Sequence, residues 1–258
     1  MTRWDGGRRT GAPRRAALPP APQPEWAYFF DIDGTLVDFA DSPRAARLEV
    51  NLREFVDRLY RFSGGAVALI SGRAIADIDD LLPGTRFPAA GQHGTERRDA
   101  AGAVSHHAFP SHELDRLRHA LSRAVAPHHG LVLEDKGLSL ALHYRRAPRL
   151  GGYAHRLVRS LLGASGSPYS IQRGKRVVEL KPSGRDKGVA VLEFMTEEPF
   201  RGRTPVFVGD DSTDEYGFAT VNRLRGHSIK VGSGPTAARW RLRDVAAVRA
   251  WLERWGNT

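Results

Sequence analysis

At 258 residues, 41% of them hydrophobic, the chain is long enough to bury a full core, either as one large α/β domain or as a core domain carrying a smaller insert. It has no cysteine, which excludes disulfides, thiolate catalysis and thiolate metal sites and leaves oxygen and imidazole donors for any metal. The net charge of +10 raises nucleic acid or an anionic membrane as partners, but the Arg residues are scattered among Asp and Glu with no basic binding motif, so neither is expected and an anionic small molecule is.

Residues 1–24 mix Arg3, Arg8, Arg9, Arg14 and Arg15 with five prolines and read as a flexible tail, because they hold too little apolar surface to offset the entropy of ordering. They contain no apolar signal core, and a cytoplasmic location is expected. Ala27 to Phe30 is a short apolar run ending at Asp31, the pattern of a buried central strand. Leu52, Phe55, Val56 and Leu59 recur at helical spacing. Gly64 and Gly65 interrupt that pattern, and Ala66 to Ile70 gives a second buried strand that ends at Ser71-Gly72-Arg73. Strand, helix and strand in this order imply a right-handed crossover and a parallel sheet.

Residues 92–181 change character. They offer a helix over 112–126, strands over 131–134 and 138–144, a helix over 155–162, and strands over 169–172 and 177–180. Strands in such close succession predict a mostly antiparallel sheet with helices on one face. From Pro182 the alternation of strand and helix resumes: a helix from Lys187, a strand over 205–208 ending in Gly209-Asp210-Asp211, a helix from Asp214, a strand over 229–231 and a closing helix to Trp255. The expected fold is α/β, a Rossmann-like parallel-sheet core of residues 25–91 and 182–258 with an inserted α+β cap of residues 92–181. The longest apolar runs are far shorter than the roughly 20 residues of a membrane span. No repeat or coiled-coil heptad is visible, and a monomer is the working expectation.

Four groups of residues fall at the carboxyl ends of the expected parallel strands, where open α/β sheets bind their ligands. Asp31-Ile32-Asp33-Gly34-Thr35 places two carboxylates just past a strand, with a glycine that allows a sharp turn; a loop or cap motif would look the same in isolation. Ser71-Gly72-Arg73 offers a hydroxyl and backbone N–H groups to an anion, or simply an N-cap serine. Lys187 stands at a helix start, where a cation is poorly placed unless an anion faces it, though an exposed lysine would fit as well. Gly209-Asp210-Asp211-Ser212-Thr213-Asp214-Glu215 crowds four acids into six residues, and such carboxylates repel one another unless a cation holds them; helix capping accounts for one acid, not four. Together they supply a nucleophile, a second carboxylate, a phosphate cradle, a cation and a metal site, the parts required for phosphoryl transfer.

Those motifs, in that order, make the chain resemble the haloacid dehalogenase (HAD) superfamily from about Glu25 to Trp255. The resemblance implies that Asp31 attacks phosphorus, that Asp33 protonates the leaving alcohol and then activates water, and that Ser71 and Lys187 hold the phosphoryl oxygens. It also implies Mg2+ at a site drawn from Asp31, Asp33 (through its backbone carbonyl), Asp210 and Asp211, with Asp214 close by. Within the superfamily, Gly91-Gln92-His93-Gly94, Glu134-Asp135-Lys136-Gly137, Ala141-Leu142-His143-Tyr144-Arg145 and Val178-Glu179-Leu180-Lys181-Pro182 resemble the trehalose-6-phosphate phosphatase family, a hydrolase family of trehalose biosynthesis. That likeness implies a cap that closes over a sugar phosphate, with Lys136, His143 and Glu179 as polar contacts, Arg73 and His93 lining the mouth, and Thr35 among the substrate-binding residues. Read on their own residues, Lys136 is an ordinary turn lysine and Glu179 could face water. A phosphatase for another sugar phosphate (sucrose phosphate, mannosyl phosphoglycerate), a phosphomutase and a catalytically silent binding protein are the alternatives.

Overall fold

A computed structural model describes residues 18–37, 45–107, 111–163, 167–174 and 176–254. Of the expected tail, residues 1–17 lie outside the described residues. From Pro19 onward the chain already touches the core: Trp251 Nε1 donates to Pro20 O at 2.8 Å, and the Tyr28 hydroxyl donates to Gln23 O at 2.7 Å.

The large sheet grows from β1 (Trp26–Phe30), whose residues are all buried and alternate between its two faces. Trp26, Tyr28 and Phe30 enter one apolar cluster with Leu52, Phe55, Val56 and Leu59 of α1 (Ala45–Phe62), the residues whose spacing predicted that helix. Ala27 and Phe29 enter the opposite cluster. Removing each large side chain from water contributes about 1.5–3 kcal/mol, so a strand covered on both faces is held firmly in place.

Next in the chain come β2 (Val67–Ile70), α2 (Ile75–Leu81) and three short strands, β3 (Ala89–Gly91), β4 (Glu96–Arg98) and β5 (Val104–His106). The expected boundary at residue 92 falls between β3 and β4, and β4 and β5 extend the large sheet by antiparallel pairing. Sequence reasoning gave none of these three strands. Arg98 fits inside because its guanidinium is held by Asp79 at 2.7 and 2.8 Å and donates to Phe87 O at 2.9 Å.

The smaller unit follows: α3 (Ser111–Val125), β6 (Val132–Asp135), β7 (Leu140–His143), α4 (Gly151–Leu162), β8 (Tyr169–Gly174) and β9 (Val177–Pro182). Its four strands pair antiparallel in the order β6-β7-β9-β8. Leu140, Leu142, Val178 and Leu180 pack on Leu114, Leu117 and Leu121 of α3 and Ala154 and Val158 of α4, which gives this sheet a core of its own. Alternation sends Ser139, Gln172 and Glu179 to the other face.

The chain then returns to the large sheet through α5 (Lys187–Phe194), β10 (Thr204–Gly209), α6 (Asp214–Arg223), β11 (His227–Val231), β12 (Trp240–Leu242) and α7 (Val245–Leu252). The final order is β12-β11-β10-β1-β2-β3-β4-β5, parallel from β12 to β3. Helices cover both faces of this sheet, α1, α2 and α7 on one and α5 and α6 on the other. None of the described helices is long and apolar enough to cross a membrane.

Candidate active site

The neighbouring parallel strands β1 and β10 run in register, Phe30 beside Val208, and Asp31 N donates to Val208 O at 3.0 Å. Their carboxyl ends therefore deliver Asp31 and Asp210 to one place. Just beyond, Gly34 adopts a φ of +80° that favours glycine, and the chain turns back through hydrogen bonds to Ile32 O. Thr35 is fully buried in this turn, and its Oγ1 finds no hydrogen-bond partner among the described residues.

Lys187, at the start of α5, is 2% exposed and donates to Asp31 Oδ1 at 2.8 Å and to Asp214 Oδ1 at 2.7 Å. A lysine at a helix start is thus explained by carboxylates facing it. Asp214 Oδ2 accepts from the backbone N–H groups of Asp210 and Asp211 at 2.8 and 2.9 Å, which fixes the loop after β10. Gly209 is required for this approach, since a Cβ there would lie 2.2 Å from Asp214 Cγ. Lys230 steadies the same loop, donating to Asp210 O and, at 2.7 Å, to Val231 O.

Carboxylate oxygens of Asp31, Asp210 and Asp214 all lie within 4.8 Å of one another, and Asp210 Oδ1 is buried without a hydrogen-bond partner. Asp211 was expected in this set, but its Oδ1 is turned to the N–H and hydroxyl of Thr213, both at 2.7 Å, where it caps the start of α6. Asp214 takes the inner position. It was flagged in the sequence only as near the site, because an acid run does not reveal which members turn inward.

Burial pushes Asp31 up to about 7 against the opposing pull of Lys187. Burial also pushes Asp210 up to about 6, with Asp214 and Asp211 adding to the effect. Asp214 is raised well above the carboxylate range by burial, Lys187 opposing. Burial would lower Lys187, but Asp214 and Asp31 on either side raise it, so it stays charged. Three crowded carboxyl groups, one with an unpartnered buried oxygen, form an all-oxygen donor set that fits a hard divalent cation.

Asp33 is not one of these three carboxylates; Arg73 Nε and Nη2 grip its two oxygens at 2.7 and 2.6 Å. Ser71 is buried at the end of β2, where its Oγ accepts from Arg73 N at 3.2 Å and its carbonyl accepts from His93 N at 2.9 Å.

His93 links the core to the smaller sheet. Its Nε2 lies 3.3 Å from Glu179 Oε2, which is itself approached by Ser139 Oγ at 3.0 Å and Lys136 Nζ at 3.5 Å through Oε1. Burial would raise Glu179, but His93, Lys136 and Ser139 bring it down to about 2, so it is a buried anion. Burial lowers His93, with Glu179 opposing. Ser139 carried no signal in the sequence. His143 stands apart from this group, its Nε2 paired with Glu134 at 2.7 Å two residues along β7 from Ala141, the residue opposite Glu179.

A family model described as trehalose-phosphatase matches residues 29–246. A protein of Escherichia coli (strain K12) named trehalose-6-phosphate phosphatase is 44% identical over 229 residues, 89% of this chain and 86% of that protein. A probable trehalose-phosphate phosphatase of Sinorhizobium fredii is 42% identical over 87% of this chain and 84% of its own. Among solved structures, the C-terminal domain of C. albicans trehalose-6-phosphate phosphatase aligns with a TM-score of 0.77 at 22% identity, covering 90% of this chain and 93% of that one. A haloacid dehalogenase-like hydrolase from Bacteroides thetaiotaomicron shares the fold at a TM-score of 0.63 and 17% identity, over 89% and 99% of the two chains.

Proposed function

The chain belongs to the trehalose-phosphatase family, and from that premise we propose that it hydrolyses trehalose 6-phosphate to trehalose and inorganic phosphate through a phosphoaspartate at Asp31. The observation that carries the phosphoryl chemistry is the convergence of Asp31, Lys187, Asp210 and Asp214 at the ends of two adjacent strands.

In the first half-reaction an Asp31 carboxylate oxygen forms a bond to phosphorus as the bond from phosphorus to the sugar oxygen breaks, and Asp33 gives its proton to that departing oxygen. In the second, Asp33, now ionised, takes a proton from water as the water oxygen bonds to phosphorus and Asp31 is released. Protons and charges return to their starting positions. Lys187 stays charged and offsets the negative charge gathered beside Asp31, while the Ser71 hydroxyl and the buried Thr35 hydroxyl serve as donors to phosphoryl oxygens.

Mg2+ is the proposed metal, held by the Asp31 and Asp210 carboxylates and the Asp33 carbonyl, with Asp214 adjacent and Asp211 shaping the loop. When bound it neutralises phosphoryl charge. The smaller unit is the proposed cap. Glu179 would accept from glucose hydroxyls, Lys136 and His93 flank it, and His143 with Glu134 extends the same polar face. An ionised buried carboxylate with a single hydrogen bond as short as 3.0 Å retains acceptor capacity for hydroxyl groups.

The test is phosphate release from a panel of phosphorylated sugars, with Mg2+ and with EDTA. Trehalose 6-phosphate should lead the panel, EDTA should abolish turnover, and Asp31→Asn should fold without releasing phosphate. Preference for another sugar phosphate would overturn the substrate, an isomeric sugar phosphate as product would indicate a mutase, and turnover by Asp31→Asn would overturn the covalent route.

A further inference from the structure

The turn after β2 does more than close a loop: it reaches across to the motif after β1. Phe30 and Leu69 are register partners on the neighbouring strands, so Asp33 and Arg73 leave the sheet side by side. The Arg73 guanidinium meets the Asp33 carboxylate through two parallel contacts of 2.7 and 2.6 Å, the forked geometry that fixes direction as well as distance. Arg73 is anchored at its own backbone, its N–H donating to Ser71 Oγ at 3.2 Å and its carbonyl accepting from Gln92 N at 2.8 Å. Among the described residues no other side chain donates to Asp33, and a carboxylate about one-third exposed would otherwise rotate freely.

We propose that Arg73 is a positioning residue that aims the Asp33 carboxylate at the bond being cleaved, in place of the substrate-binding role at the mouth of the site expected from the sequence. This rests on the assignment of Asp33 as the group that protonates the leaving oxygen. Arg73 then acts through Asp33 and touches neither sugar nor phosphoryl group. Its importance should scale with how badly the leaving group needs a proton: an alkoxide cannot depart unassisted, whereas p-nitrophenolate can.

The experiment uses two substrates without sugar, benzyl phosphate and p-nitrophenyl phosphate, with the full chain and Mg2+, and measures kcat/KM, which reports the step up to cleavage of the leaving group. General acid catalysis is worth about 10²–10⁴-fold, so Arg73→Gln should depress kcat/KM at least about tenfold more for benzyl phosphate than for p-nitrophenyl phosphate. In an Asp33→Asn background the same substitution should change benzyl phosphate hydrolysis by less than about twofold, because residues acting as one unit are not additive. Arg73→Lys keeps the charge without the fork and should recover part of the loss; it also carries the comparison if Arg73→Gln fails to fold.

Equal losses for both substrates would overturn the proposal and place the guanidinium on the phosphoryl group or the fold. Full multiplication of the two losses in the double variant would overturn it as well. So would an increase in KM for trehalose 6-phosphate alone with both sugar-free substrates unaffected, which would make Arg73 a sugar contact. A wild-type chain inactive on trehalose 6-phosphate but active on the two sugar-free esters would defeat the substrate assignment and leave this test intact.

Discussion

Replacing Lys187 by methionine removes the cation between two buried carboxylates while keeping an unbranched side chain one atom shorter. The ammonium is 2% exposed and sits 2.8 Å from Asp31 and 2.7 Å from Asp214, so its loss leaves two acids facing each other out of reach of water. Breaking a buried ion pair from one side costs about 3–5 kcal/mol. At ~2–4 °C per kcal/mol for a domain of this size, Tm in EDTA at pH 8 should fall by about 6–20 °C. The loss should depend on pH. Lys187 is charged in the folded and unfolded chain throughout pH 5–8, so it adds no slope itself. Asp31 and Asp214, already raised in the folded protein, rise further without it, so the folded state binds more protons than the unfolded one and stability falls as pH climbs from about 4. The deficit relative to wild type should shrink at pH 5, where both acids accept protons, and Lys187→Met/Asp214→Asn should regain part of the Tm at pH 8. Thermal melts by circular dichroism at the two pH values decide it. A shift under about 2 °C at pH 8, or equal shifts at both, would refute the claim that Lys187 opposes the burial-driven rise of these two acids.

Metal affinity should also follow pH, because Asp31 near 7 and Asp210 near 6 must shed protons to bind a cation. Calorimetric titration should show Mg2+ binding weaken on the order of tenfold from pH 7.5 to 6, with proton release; constant affinity over that range would contradict the assigned donors. Glu179→Gln should lower kcat/KM for trehalose 6-phosphate by about 10–100-fold while sparing p-nitrophenyl phosphate, as expected for a charged hydrogen bond to a hydroxyl; parallel losses on both substrates would exclude sugar reading. Gly209→Ala should force Asp214 aside at a cost of about 1–3 kcal/mol and weaken Mg2+ binding, seen together in a thermal melt and a titration. Unchanged metal binding in that variant would remove Asp214 from the site.

The catalytic strands were legible because each is a short, fully apolar run ending in a chemical motif, and a parallel sheet gathers such ends at one edge. Phe30 to Asp31 and Val208 to Asp210 are the clearest cases. The short strands were not legible: Ala89–Gly91, Glu96–Arg98 and Trp240–Leu242 are three residues each, too few to display a period. Arg98 hides a buried position behind a charged name, its partner Asp79 being 19 residues away. The choice between Asp211 and Asp214 was beyond the sequence too, since it is made by Lys187 and two backbone N–H groups that only folding brings near. Likewise Arg73 is expected from the chain only to line the mouth of the site, and its pairing with Asp33, 40 residues distant, is made by folding.

The smaller sheet packs on α3 and α4 through apolar residues shared with neither cluster of the larger sheet. Its shape is therefore set locally, and the polar side chains on its other face are not needed to hold the sheet together. Substitutions on that face can therefore accumulate without disturbing the strands that carry Asp31 and Asp210.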